Sequence, residues 1–498
     1  MKKTILLIIA VIYFFSLSAG AKPITLEKIR LGKLSNKLRI TFDFNSRFDY
    51  SFSSAEGENK LVITFPNAAA GSKIETYTAF NTNLVNYAEL EREDSGLRAT
   101  ISFEDKVPYK IVQLISPDRL VVDFDREYTN ISSSGNVIDG LERLEVVNVT
   151  KNGKIYSHIL KIDLSKVDIA PALAKKKKPS VLESFISILN PWKGSDTAKS
   201  FYRARVSAIA EDEGAVAAVN GSFFSYSGRP LGTLLIDKEM VSSPIYGRTA
   251  FLISDDQKAY IDNITLDCYF LTINQVCYKI TGINQSRDNN SIILYTPLWG
   301  KKTGTATNGI ELIVSKGIVK EIKAGNSNIP QDGYVISFIG TESQFVSDNI
   351  KVGEPLDLKI NIVPFATSPN GVTHIVSGGP RLVKQGSIYV SKHEERFKAD
   401  VGSARAARTA IGITRDGSIL IAAVDGRPRK KKLRNDNSSL GMTLEELAGL
   451  MRKLGAYDAM NLDGGSSSTM WAKDKLLNIP VTGYEAGVSN AIVLRPKI

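Results

Sequence analysis

The chain has 498 residues, 43% hydrophobic and 23% charged, a balance that suits several globular cores, since one core rarely grows past about 250–300 residues. With 38 Gly and 18 Pro, collagen-like, low-complexity and wholly disordered chains are excluded. The 63 Lys+Arg against 52 Asp+Glu leave a formal +11, which favours an anionic partner, while two cysteines and three histidines offer little to a Cys/His metal centre.

Residues 1–21 run from Lys2-Lys3 through an apolar stretch, Ile5 to Leu17, to small residues at Ala19 and Ala21. This is the layout of a secretory signal peptide. The stretch is short for a bilayer span, which takes about 20 residues, and no other segment approaches one. Export to the periplasm or cell envelope is therefore expected, with no stable transmembrane anchor. Loss of Lys2 and Lys3 lowers the formal charge from +11 to +9.

Residues 22–128 alternate apolar and polar positions in short runs bounded by turn residues, the pattern of an antiparallel sheet protein. The run starting at Leu38 precedes the one at Leu61 by 23 residues, and the run at Leu97 precedes that at Leu120 by 23 residues. Such a duplication predicts two matching sheets packed face to face. Residues 129–140 are polar and Gly/Ser-rich and read as a linker. The whole is expected to be an α+β chain, an N-terminal β-sandwich followed by a mixed αβ region over 141–498 with β-sheets and a few helices.

Two basic runs, Lys175 to Lys178 and Arg427 to Arg434, read as solvated loops, the second placed where it could meet an anionic substrate. A helix is predicted from Thr197 to Glu213, ended by Gly214. Cys268 and Cys277 lie nine residues apart in a strand-like stretch, Ile264 to Ile280, with Asn274 and Gln275 as its turn. In an oxidising compartment a hairpin disulfide between them is expected. A catalytic cysteine is not, because only His158, His374 and His393 offer a base.

The C-terminal region repeats one device, an apolar run ended by a polar residue and glycine: Asn220-Gly221, Ser377-Gly378-Gly379 after His374, Asp425-Gly426 and Asp463-Gly464-Gly465. A buried strand brings a carboxylate or amide to the rim of a sheet, and glycine lets the backbone turn there. Several such ends on one rim would build a polar pocket with rigid walls. Thr443 and Glu446 form a capping box before a helix whose Leu444, Leu447, Ala448 and Met451 share a face, with Gly455 at its end. That helix joins the Asp425 strand to the Asp463 strand, and a parallel pairing would set both aspartates at one edge. The tract Ser466 to Thr469 adds hydroxyls and N–H donors suited to phosphate or sugar oxygens. No phosphate-binding P-loop, G-x-S-x-G elbow, Rossmann fingerprint or two-histidine zinc-protease pattern is present.

Two family resemblances follow from these residues. The alternating pattern over 22–128 resembles the AMIN domain, a β-sandwich of exported envelope proteins, and implies attachment to peptidoglycan or another envelope polymer. Across residues 200–498, Ala218 to Phe224, Gly378 to Val383, Arg408 to Gly412, Val424 to Arg427, Gly441 to Ala448 and Asn461 to Ser467 resemble successive blocks of the phosphodiester glycosidase family. That resemblance implies hydrolysis of a sugar-1-phosphodiester in a phosphate-bearing envelope or exported glycan.

It also implies that Asn220, His374, Asp425 and Asp463 carry catalysis. Arg408, Arg427, Arg248, Gly378, Gly379, Asn461, Gly464, Gly465, Ser466 and Ser467 would then hold substrate. The family often has an acidic–Arg pair before its last strand. Here Glu485-Ala486-Gly487-Val488 lacks the arginine, leaving Arg427, Arg408 or Arg248 to replace it.

No cofactor is required, no metal ligands are assigned, and oxygen donors around Asp463 and Asn461 would accept a divalent cation such as calcium. The rival reading is a non-catalytic envelope protein that binds anionic glycan. Export and the lack of a basic–aromatic module argue against nucleic acid.

Overall fold

The computed structural model describes residues 23–54, 59–80, 82, 84–104, 107–175, 201–340, 343, 346, 349–430 and 438–497. The expected signal peptide and residues 176–178 and 431–434 of the basic runs lie outside them. Strand takes 50% of the chain and helix 7%, so the expected α+β class is the one observed, with sheet far outweighing helix. The chain divides into two compact units at residues 128 and 129.

The first unit holds two five-stranded sheets around one core. Strand Lys37–Phe44 pairs with Arg119–Asp125, and Lys60–Pro66 pairs with Gly96–Phe103. The duplication reaches into the register: Leu38 opposes Phe124 and Phe42 opposes Leu120, just as Leu97 opposes Phe65 and Ile101 opposes Leu61. The first sequence half therefore gives three strands to one sheet and two to the other, and the second half the converse. The inward residues Phe42, Phe65, Leu61, Ile101 and Phe124 are all fully buried. Burial of such side chains stabilises by roughly 1.5–3 kcal/mol each.

In the second unit an eight-stranded sheet runs, in spatial order, Tyr128–Ile138, Leu141–Thr150, Gly153–Ile162, Ile419–Val424, Arg408–Thr414, Ala456–Asn461, Arg381–Lys384 and Ser387–Ile388. The expected linker over 129–140 is thus corrected. Its serines and asparagine sit on the edge strand Tyr128–Ile138, where polar side chains face water and the backbone finds its partner in Leu141–Thr150. A five-stranded sheet contains Val167–Leu173, Asn490–Pro496, Ala217–Asn220 and Met470–Ala472. A third sheet contains His374–Ser377, Thr249–Ile253 and Ala259–Leu271. These three sheets share one core through Val219, Ile492, Ile421, Met460 and Val376.

The helix Leu444–Lys453 has the capping box in place, with Thr443 Oγ1 accepting from Glu446 N–H. It buries Leu444, Leu447, Ala448 and Met451 against the eight-stranded sheet, and Gly455 follows at φ 97°. Of the other predicted helix, residues 197–200 lie outside the described residues, and the rest is helical only over Val206–Asp212. Ala204 bridges to Val488 instead, holding residues 203–205 extended, and the Glu485 carboxylate accepts from Ser207 N–H and Oγ at the first turn.

The expected Cys268–Cys277 disulfide is also corrected, since both cysteines are free. The hairpin register pairs Leu271 with Cys277, while the carbonyl of Cys268 accepts from Ile280 N–H. The two cysteines are therefore about three residues, or ~10 Å, out of step along the strands, beyond disulfide reach. Cys268 is buried, which pushes its thiol up to about 12, and Cys277 is exposed.

Candidate active site at the rim of the sheets

The chain passes from Ile419–Val424 through the helix to Ala456–Asn461, and both strands run antiparallel to Arg408–Thr414, which lies between them. They are therefore parallel to each other without being neighbours. Asp425 and Asp463 leave the sheet at the same rim, two strand spacings or about 10 Å apart. Arg408–Thr414 starts at that rim, as does Arg381–Lys384, whose Arg381 opposes Met460.

The five-stranded sheet meets this rim at Asn220. The Asn220 side chain is fully buried: Nδ2 donates to the carbonyl of Asp463 (2.7 Å), and Oδ1 accepts from Thr409 Oγ1 (2.8 Å) and Thr469 N–H (3.1 Å). Asp463 N–H in turn donates to the carbonyl of Gly221 (3.2 Å). Asn220 thus fastens two sheets together, with its amide oxygen and nitrogen both engaged. Behind it, buried Asn490 accepts from Ser222 N–H and donates to Ser222 Oγ.

The third sheet arrives at Gly378-Gly379. Gly378 N–H donates to the carbonyl of Thr249 (3.0 Å), Gly379 N–H to that of Asn461 (2.7 Å), and Asn461 Nδ2 returns to the carbonyl of Gly379 (2.9 Å). Gly379 must be glycine: its φ is +100°, and a Cβ there would lie 2.4 Å from Glu395 Oε2. The Glu395 carboxylate is itself buried, accepting from Thr249 N–H and Oγ1, Arg381 N–H and Ser391 Oγ.

Asp463 is the one carboxylate at this convergence that is recessed yet still open to solvent. Desolvation pushes its carboxyl up to about 6 against the opposing bonds from the Ser467 hydroxyl and Gly464 N–H. Removing water from around a carboxylate penalises its charged form. A group that titrates near 6 can accept or release a proton at neutral pH.

Asp425 has different surroundings. It is buried, Oδ1 accepts from Ile479 N–H (2.8 Å), and Oδ2 lies 3.5 Å from His158 Nε2. It holds the segment before the last strand and orients a partly exposed histidine.

Arg408, expected to touch substrate, serves here as an internal bracket. Its guanidinium is buried and donates to the carbonyls of Met442, Val401 and Ala404, because its strand turns it toward the helix layer rather than to the rim. His374 lies away from this convergence. It opens the strand that Ser377 closes, so it sits at the opposite end from Gly378, with Nδ1 accepting from Asp237 N–H and burial lowering its proton affinity.

The expected N–H cradle after Asp463 is largely closed as well: Gly464 N–H donates to Asp463, Gly465 N–H to Ala407 and Ser467 N–H to Gly464. Ser466 is partly exposed on this turn, and Arg427 is exposed just past Asp425.

Arg248 remains at the rim. It precedes Thr249, is half-buried, donates to the carbonyls of Glu395 (3.2 Å) and Arg396 (3.5 Å), and stacks over Phe397 at 4.0 Å. Phe397 also meets Phe223, 5.8 Å away on the segment after Asn220. For a divalent cation, the donors are Asp463 and the Asn461 amide, whose Nδ2 is committed to two carbonyls while Oδ1 is buried without a partner. Among the described residues no group of three or more His, Cys, Asp or Glu is placed to hold a metal.

His158, Glu395 and Asn490 went unassigned from the sequence. Asn490 alone had a local signal, following Val488 at the start of the last strand.

A β-rich α+β fold with a rim of carboxylate, amide and arginine has known relatives. Residues 308–495 match the family described as phosphodiester glycosidase. An uncharacterized protein of Rickettsia conorii is 28% identical over 224 residues, 42% of this chain and 75% of that protein. The N-acetylglucosamine-1-phosphodiester alpha-N-acetylglucosaminidases of Bos taurus and Homo sapiens are each 29% identical over 120 residues, 22% of this chain. The match spans 21% and 22% of those enzymes' lengths. A hypothetical protein from Synechocystis has the same fold with TM-score 0.61 at 23% identity, covering 95% of this chain and 81% of that one. A Burkholderia pseudomallei protein described as exported follows at TM-score 0.54 and 17% identity, covering 91% and 97%. Among the described residues no helix is long and apolar enough to cross a membrane.

Proposed function

We propose that the second unit is a hydrolase of sugar-1-phosphodiester bonds, such as N-acetylglucosamine-1-phosphodiesters, in exported or cell-envelope glycans. The first unit would tether it to peptidoglycan or a related envelope polymer. The observation that carries the reading is Asp463, a recessed carboxyl pushed up to about 6 where three sheets converge. The family match over residues 308–495 supports it independently.

A phosphodiester leaves as a weakly basic anion, so little acid catalysis is needed at the departing oxygen. The sugar becomes oxocarbenium-like as the bond breaks. Asp463, ionised above about pH 6, stabilises that cation or takes the proton of attacking water. Arg248 is the guanidinium placed to take the phosphate charge, stiffened by its stack on Phe397 and its two carbonyl bonds. Asn220 and Asn461 hold the Asp463 turn in place, and His158, backed by Asp425, is a proton carrier further along the rim.

Incubation with UDP-N-acetylglucosamine tests the reading. Free N-acetylglucosamine should appear, with kcat/KM rising through about pH 6 to a plateau, and Asp463→Asn should cut turnover by about 10²–10⁴-fold. Near-normal turnover in that variant removes Asp463 from the chemistry. The closed N–H cradle and the occupied Arg408 favour the rival, a non-catalytic glycan binder, which predicts saturable binding with no sugar released.

A further inference from the structure

Three tyrosines stand on segments that leave the Asp463 rim, each with a cation against its ring. Tyr226 follows Asn220, is 90% exposed, and has the Arg203 guanidinium 5.0 Å from its ring centre. Tyr246 precedes Thr249, is 62% exposed, and has Arg248 at 5.8 Å. Tyr484 precedes Asn490, is 62% exposed, and has Lys430, just beyond Asp425, at 5.8 Å.

The strand register brings the segments that carry them to one rim. Asn220 pairs with Ala491 near the start of the last strand, Ala204 bridges to Val488, and Thr249 accepts from Gly378 N–H beside Asn461. From Asp425 to Arg381 this rim crosses three strand spacings, about 14 Å.

A single exposed aromatic residue needs no explanation. Three around one rim, each paired with a cation, form repeated amphipathic platforms. The ring face suits the C–H face of a pyranose, and the cation beside it suits the phosphate that follows. Among the described residues no ion pair joins Arg203, Arg248 or Lys430 to a carboxylate, and Arg248 is held in place by the carbonyls of Glu395 and Arg396.

We infer that the rim grips a linear glycan of several sugar units joined by phosphodiesters, rather than one terminal sugar diester. The substrate chemistry rests on the function proposed above; the length of the ligand rests on the three platforms.

The test uses oligomers of N-acetylglucosamine-1-phosphate with one, two, four and eight repeats, titrated calorimetrically into full-length protein carrying Asp463→Asn. Affinity should rise at least about tenfold from two repeats to eight. Adding Tyr226→Ala and Tyr484→Ala should shrink that rise to less than about threefold. A neutral oligomer of the same sugar and inorganic polyphosphate should each bind at least about tenfold more weakly than the eight-repeat oligomer, since each lacks one half of the platform's chemistry.

Affinity independent of length, or equal binding of either control, overturns the inference. Sugar release from UDP-N-acetylglucosamine without length dependence sinks the inference and keeps the hydrolase. Length-dependent binding with no release in the wild-type protein does the reverse.

Discussion

Replacing Asp463 by Asn should make the protein more stable while disabling it, and only above a definite pH. Burial raises the carboxyl from 3.8 to about 6. The folded form thus holds its proton more tightly than the unfolded chain. Between about pH 4 and pH 6 the unfolded state is the one that ionises, so stability falls as pH rises through that window. Two pKa units correspond to about 3 kcal/mol at most. Partial exposure of the side chain to solvent reduces this to about 1–2 kcal/mol.

Asn keeps the shape and can still accept from Gly464 N–H, but it never ionises. Differential scanning calorimetry at pH 4.5 and pH 7.5 should show a gap of about 2–4 °C in favour of the variant at the higher pH, shrinking to less than half at the lower. An equal gap at both values, or a variant less stable at pH 7.5, would refute the claim that this carboxylate is kept short of water.

Asn220→Ala should orphan Thr469 N–H and the Asp463 carbonyl and leave the Thr409 hydroxyl only Ser468 as partner; a loss of about 2–4 kcal/mol in urea unfolding, with turnover falling alongside, is expected. Gly379→Ala forces a side chain into the left-handed region and against Glu395, so expression yield and Tm should both drop, whereas Gly417→Ala on an open turn should cost under about 1–2 kcal/mol. Thiol titration of the denatured, unreduced protein should return two free thiols, and reductant should leave Tm unmoved. One disulfide per chain would contradict the register described for that hairpin.

The sequence made strand ends legible, because apolar runs closed by a polar residue and glycine are local signals. It also carried the helix between the two aspartate strands, through Thr443, Glu446 and the spacing of Leu444, Leu447 and Met451. What it could not carry was the insertion of Arg408–Thr414 between those strands, which reaches outside the strand–helix–strand unit. The same limit hid His158 beside Asp425, contributed from 267 positions away. Arg408 was assigned from its motif block; its partners are carbonyls of residues 401, 404 and 442, and carbonyls leave no trace in residue type. His374 was misplaced for a simpler reason. It shares a short strand with the glycine pair, and a strand has two ends.

The first unit is built by exchange. Each sequence half lends three strands to one sheet and two to the other, so neither half owns a complete layer. A single half therefore carries the information for a symmetric homodimer, in which two identical copies would close both sheets by trading the same pairs of strands. Cut between its halves, the unit would yield two fragments, each with an unfinished edge on both faces of the core. Neither would have a folded state to fall back on until it found the other.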